Sequence, residues 1–303
     1  MSEFDDPLRP LYQPDDERRY LPVDSIEEMF GRFTAAFGDP ADWIAKGHLI
    51  VVTGDRGCGK TSLIQRCAYW LKTRPQPNCK LVIVDFSDEQ WTDTEDQRTK
   101  RVFSRILDLL GQSEDLRTSV LERIRTYEAD LNDAYYHLSQ ALGSRQTEQG
   151  EPLPPVALAV LLPGYPKPAE VKRYYEIARP GIFFFAEVFE VADIHAIRFE
   201  MPRLNRANVG VHHLGTGVLN PGDAYKLVDW FRGAGHDSPE FPDEIVRVHL
   251  NGPVEYYSKV SIRELTKLAW GLLCVAKEEA ADRVTETHVA RYYEQLVFGD
   301  GTV

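Results

Sequence analysis

Residues 54–61 read Gly54-Asp55-Arg56-Gly57-Cys58-Gly59-Lys60-Thr61, a full match to G-x-x-x-x-G-K-[ST]. No other stretch constrains the chain as tightly. The run before it, 48–53, reads as a strand buried on both faces, and a helix is expected from about Lys60 to Lys72. Between those elements, glycines let the backbone curl so that successive N–H groups point inward at phosphate oxygens. The helix N-terminus adds a fixed partial positive charge. Gly54, Asp55, Arg56, Gly57, Cys58, Gly59, Lys60, Thr61 and Ser62 are therefore the candidate nucleotide-binding residues. Lys60 is expected to reach the β- and γ-phosphates, and Thr61 to place its hydroxyl on Mg²⁺. Cys58 reads either as a small residue at a variable position or as a thiol that bound nucleotide would shield from alkylation.

Further strands are expected at 80–85, 155–162, 181–189 and 209–214. A helix is expected over 26–37 behind Asp24-Ser25, and helical pattern over 94–142 with a break near Gly111. A short helix is expected at 170–178. After Asn220-Pro221-Gly222-Asp223 everything reads as helix: 223–233, a short piece near 243–249, 261–280 and 285–296. Strands alternating with helices imply a parallel sheet covered on both faces. The expected organisation is an extended lead-in (1–22), an α/β domain (23–220) with a helical insertion at 94–142, and a smaller all-helical domain (221–303).

The chain's 303 residues carry 35 Lys+Arg against 47 Asp+Glu, a net charge of −12, which excludes a uniformly basic nucleic-acid coat but not a local patch. Arg98, Lys100, Arg101, Arg105, Arg117, Arg123 and Arg125 do cluster, but Glu95, Asp96, Asp108, Glu114, Asp115, Glu122 and Glu128 interleave with them. That pattern reads more as a mixed solvated surface than as a phosphate grip. Four cysteines with no C-x-x-C pair argue against a disulfide framework and a structural zinc site. The first 16 residues are acidic and proline-punctuated, unlike a signal peptide, and the apolar stretches at 182–189 and 268–276 are too short to span a bilayer. A cytoplasmic protein without membrane contact is expected. His212-His213, adjacent on a strand, should face opposite ways and so not share a metal ion. Tyr174-Tyr175, Tyr256-Tyr257 and Tyr292-Tyr293 read as packing and surface aromatics. The absence of an N-K-x-D guanine signature favours adenine.

The order of elements resembles the AAA+ ATPases and the related STAND-type switch ATPases, with the origin-recognition and transposition-regulator AAA+ proteins nearest. The loop 54–62 carries the resemblance most specifically. The passage 214–228 looks like the step from fifth strand to helical lid, and 260–269 followed by 285–289 like the lid helix bearing the sensor 2 arginine. The resemblance implies a P-loop NTPase α/β fold with a helical lid, and ATP and Mg²⁺ as ligands. It implies Arg263 contacting the γ-phosphate, and Arg203 or Arg206 as an arginine finger at a homo-oligomer interface.

The chain departs from that family at the third strand, where the catalytic acids belong: it ends Leu161-Leu162-Pro163-Gly164, with no carboxylate. Two acids are candidates to stand in. Asp85 ends the second strand and could hold magnesium or polarise water, as it would in a kinase-type sheet where the strand beside the P-loop strand bears the acid. Glu187, on the fourth strand, could face the γ-phosphate or Mg²⁺. The catalytic candidates are thus Lys60, Glu187, Asp85, Arg263 and Arg206, with Thr61 and Asp85 as metal ligands. The expectation is ATP binding with weak or absent hydrolysis, the nucleotide state controlling self-assembly or docking of a protein partner. The alternatives are a DNA-associated AAA+ ATPase regulator and a P-loop kinase using Asp85.

Overall fold

The computed structural model describes residues 20–39, 44–74, 79–89, 91, 93–113, 115–147, 149–164, 166–189, 193, 195–197, 208–233, 239–256 and 260–298. The chain divides into two units. One comprises the chain up to Phe30, Asp55–Leu63 and Thr216 onward; the other comprises Gly31–Gly54 and Ile64–Gly215.

The second unit holds the sheet. Its strands are β1 (Gly47–Thr53), β2 (Lys80–Asp85), β3 (Val156–Leu161), β4 (Ile182–Val188) and β5 (Val209–Gly215). All pairings are parallel, in the order β2-β3-β4-β1-β5. β1 and β3 are buried at every position, as unbroken apolar runs require of strands covered on both faces. The register sets Val52 against Glu187 of β4 and against Leu214 of β5.

Alternate residues divide between the two faces. Leu49, Val51, Leu158, Val160, Phe184 and Ala186 face one layer. That layer is made by α3 (Glu95–Gln112), α4 (Thr118–Arg125), α5 (Leu131–Gly143) and α6 (Pro168–Ile177). α3 presents Val102, Phe103, Ile106, Leu107 and Leu110 at helical spacing, behind a Thr94–Gln97 capping box. The expected helical stretch is thus three helices. Its first break is held by the buried Asp115, whose carboxylate takes Ser113 Oγ (2.7 Å), Lys80 Nζ (2.7 Å) and Arg145 Nη2 (3.5 Å).

The opposite face is covered by the ends of α1 (Asp24–Ala36) and α2 (Lys60–Thr73) that belong to this unit. Phe33 lies 6.2 Å from Phe185 and 5.9 Å from Trp70, ring to ring, and Phe37 lies 5.8 Å from Phe183. Two imidazoles complete this aromatic layer. His48 stacks on Phe183 at 4.7 Å, and Phe37 sits 4.5 Å from His212. A side chain at Gly210 would strike both rings, its Cβ falling 2.7 Å from His48 Nδ1 and 3.0 Å from His212 Nε2. His213 takes the other face and places Nε2 2.7 Å from the Thr53 hydroxyl.

The carboxyl end of β3 is fastened by a buried arginine. Arg98 donates to the carbonyls of Trp91 (3.1 Å), Pro163 (3.4 Å) and Gly164 (3.1 Å), and its Nε lies 3.2 Å from Glu170. Burial pushes the Glu170 carboxyl up despite the opposing pull of Arg98.

The first unit carries the helical segment: α7 (Asp223–Gly233), α8, α9 (Ile262–Glu278) and α10 (Glu286–Phe298). α8 comprises Asp243–Ile245, a π-helical turn Val246–Asn251, and Gly252–Tyr256. It therefore outruns the short piece expected at 243–249. The wide turn lets Gly252 N–H reach back to the Arg247 carbonyl, so the helix continues through Pro253, which has no N–H to donate. Among the described residues no helix is long and apolar enough to cross a membrane.

Two outcomes follow from the buried charges and imidazoles. Burial lowers the His212 pKa from 6.5 to about 4, and Nε2 finds no hydrogen-bond partner among the described residues. As pH falls from 6.5 towards 4 the unfolded chain gains a proton that the folded protein refuses, so stability falls through that window. Between pH 7 and pH 5 the wild type should lose about 2 kcal/mol more than His212→Leu in urea melts; parallel losses would remove this account. For the ion pair, Arg98→Met should cost about 3 kcal/mol. The Arg98→Met/Glu170→Met double variant should cost clearly less than the two single changes combined, because no buried charge is stranded. Additive losses in the cycle would mean the two groups do not interact.

Candidate nucleotide-binding loop

The loop after β1 is shaped by its glycines. Gly57 (φ +83°) and Gly59 (φ +81°) lie in the left-handed region that side chains disfavour. Both are also closely covered. A Cβ on Gly57 would lie 3.0 Å from Ser261 Oγ and 3.1 Å from Arg263 Cβ; one on Gly59 would lie 3.3 Å from the Cδ1 atoms of Ile26 and Ile262. The loop is thus fitted against the first turns of α1 and α9.

Its polar groups are engaged from within and without. Lys60, 4% exposed, donates from Nζ to the Asp55 carbonyl at 2.8 Å. Cys58 Sγ lies against the same carbonyl and 3.1 Å from Thr216 Oγ1. Burial pushes the Cys58 thiol up, with Thr216 and Lys60 opposing, so it stays protonated. The protein itself already covers this thiol, and resistance to alkylation would therefore not report nucleotide. Lys60, Thr61 and Ser62 form the first turn of α2, where backbone N–H groups have no intrahelical acceptor.

The start of α9 is fixed by a capping box. Ser261 Oγ accepts from Glu264 N–H (3.2 Å), and Glu264 Oε2 accepts from Ser261 N–H (2.8 Å). The Ser261 N–H holds the Glu264 carboxyl below its usual range. Arg263 N–H donates to the Gly57 carbonyl at 3.1 Å, while its side chain is exposed. Asp223, fully buried, accepts from Asn220 N–H (2.8 Å), Asp24 N–H (3.2 Å) and Lys226 Nζ (3.0 Å), tying the first turns of α1 and α7 together.

Of the candidates named from sequence, Lys60, Thr61 and Arg263 therefore meet at the loop. Asp85 and Glu187 belong to the sheet unit. The Asp85 carboxylate accepts from Gln65 Nε2 (2.7 Å), Ser87 N–H (2.9 Å) and Ser87 Oγ (2.7 Å). Its strand is separated from β1 by β3 and β4, so the sheet lacks the wiring that the kinase reading needs. Glu187 is half-buried on β4, which pairs directly with β1. At the end of β3 the Arg98 guanidinium meets the Pro163 and Gly164 carbonyls. Arg203 and Arg206 lie outside the described residues. The basic cluster is largely met by its own acids: Lys100 with Asp96 (2.7 Å), Arg101 with Asp93 (3.0 Å), Arg105 with Glu89 (3.9 Å) and Arg125 with Asp108 (2.6 Å).

Sequence reasoning missed Ile26, Thr216, Ser261 and Asp223. A helix start at 261 was expected, and the spacing Ser261-x-x-Glu264 before an apolar run signals the capping box that forms it. The contacts of Thr216 with Cys58 and of Asp223 with Asp24 join residues far apart in the chain and carry no local signal.

Neither a protein-family model nor a curated protein sequence matches this chain. Solved structures do. Cdc6p of Pyrobaculum aerophilum is similar over 97% of this chain and 72% of its own, at 11% identity and TM-score 0.54. ORC1 of Aeropyrum pernix, solved in complex with DNA, is similar over 92% and 69%, at 15% identity and TM-score 0.54. The ADP form of Aeropyrum pernix ORC2 is similar over 95% and 72%, at 13% identity and TM-score 0.50. With the strand order and the loop, these likenesses give the chain the fold of the Cdc6p and ORC structures, an α/β P-loop sheet with a helical segment.

Proposed function

We propose that this chain binds ATP with Mg²⁺ at the loop 54–62, and that nucleotide state controls its assembly or its docking to a protein partner, with weak or absent hydrolysis. The observation that carries the reading is the loop itself. Left-handed glycines, a helix N-terminus and Lys60 converge there, a donor set suited to a polyphosphate and to little else. Lys60 would bind the β- and γ-phosphates, Thr61 would supply a hydroxyl to Mg²⁺, and the Arg263 guanidinium would meet the γ-phosphate. Mg²⁺ would neutralise phosphate charge.

The reading of slow turnover is supported by the end of β3, where none of Leu161, Leu162, Pro163 and Gly164 bears a carboxylate and Arg98 stands on two of the carbonyls. Of the two replacement acids, Glu187 is favoured, because its strand pairs with β1, whereas the strand of Asp85 is separated from β1 by β3 and β4. A homo-oligomer with Arg206 as its finger, and a cytoplasmic location, complete the proposal. The similar Aeropyrum pernix ORC1 structure is a complex with DNA, which makes duplex DNA the first macromolecule to offer.

Lys60→Ala should weaken ATP binding by about 30-fold or more, the worth of a charged hydrogen-bond donor to phosphate. Calorimetry showing wild-type affinity in that variant would defeat the reading. Phosphate release should stay near background with or without duplex DNA. Turnover that Lys60→Ala abolishes would mean an acid completes the site; its loss in Glu187→Gln but not in Asp85→Asn would assign that acid to β4.

A further inference from the structure

We infer that the helical lid grips the phosphate loop through main chain: the bond from Arg263 N–H to the Gly57 carbonyl couples α9 to the loop, independently of the Arg263 guanidinium. The inference concerns regulation of the site proposed above and rests on that reading only for its response to nucleotide.

The first turn of a helix has backbone N–H groups without intrahelical partners. In α9 the Ser261 hydroxyl takes one of them, Glu264 N–H. The loop takes another: Gly57 C=O accepts Arg263 N–H at 3.1 Å. The loop carbonyl therefore acts as part of the helix cap, a negative dipole end set at the positive end of α9. The fit is close. Ser261 and Arg263 approach the position that a Cβ on Gly57 would occupy to 3.0–3.1 Å, and Ile262, between them, lies over Gly59.

The two halves of the Gly57–Cys58 peptide unit make this contact responsive. Its carbonyl faces the first turn of α9, and its N–H, now a long 3.5 Å from the Asp55 carbonyl, is one that a bound phosphate would recruit. Polarising the N–H strengthens the carbonyl as an acceptor, because hydrogen bonds in chains reinforce one another. A guanidinium on a flexible stem can absorb a small shift of the loop; a backbone N–H in a capped helix cannot. Filling the loop with phosphate should thus tighten the first turn of α9.

The test separates backbone from side chain. Arg263→Ala keeps the N–H; Arg263→Pro removes it at a first-turn position that tolerates proline. In nucleotide-free protein, amide exchange over residues 262–266 should match wild type within about 2-fold in Arg263→Ala. It should be about 5-fold faster or more in Arg263→Pro, the worth of one hydrogen bond. Saturating ADP, which lacks the phosphate the guanidinium would touch, should slow these amides in wild type and Arg263→Ala and not in Arg263→Pro. Equal behaviour of the Ala and Pro variants would overturn the inference. Should Arg263→Pro fail to fold by circular dichroism, Gly57→Ala decides. Its methyl presses on Ser261, so faster exchange over 262–266 is expected and wild-type exchange overturns the inference. If wild type binds no nucleotide, the proposed function falls, while exchange in the nucleotide-free protein still decides whether the grip exists.

Discussion

Burial of β1 between β4 and β5 is the constraint on which the loop depends. Every residue of β1 is buried and both its edges are paired, so the strand has no freedom to shift its register. A one-residue slip would turn Leu49 and Val51 out of one helical layer and Ile50 and Val52 out of the other. The strand therefore delivers Gly54 to one place. The turn that follows takes left-handed conformations at Gly57 and Gly59, which glycine adopts without steric cost.

Around that frame the buried charges are all engaged by neighbours. Asp115 closes a helix break, Asp223 joins two helix starts, and Arg98 and Glu170 fasten the end of β3. A buried carboxylate without donors costs several kcal/mol, so each such acid needs a set of N–H or cationic partners.

What was legible in the sequence follows from the range of the interactions. Continuous apolar runs revealed β1 to β4, β5 was expected from its place in the order of elements, and the loop was readable because its glycines and lysine are close together in sequence. Helix starts at Thr94 and Ser261 were written in their own capping spacings. The cover on the loop was not legible. Cys58 meets Thr216 across 158 positions and Asp24 meets Asp223 across 199, and neither contact leaves a periodic trace. The continuation of α8 through Gly252-Pro253 was hidden for another reason: local propensity forbids it, and a wide turn overrides that propensity.

Under the proposed function, nucleotide that binds without turning over acts only through its binding free energy. At 100 times its dissociation constant that is about 2.7 kcal/mol, available in full to whichever conformation binds it. The contacts that join the loop to its cover are of the same scale: a backbone hydrogen bond is worth about 1 kcal/mol, and the isoleucines over Gly59 add apolar burial of similar size. Ligand and cover are thus matched, so that occupancy of the loop can decide whether the first turn of α9 stays seated. A hydrolysing enzyme resets such a balance with each turnover. A binding protein resets it only by exchange, which makes the lifetime of the bound state the quantity that a partner would read.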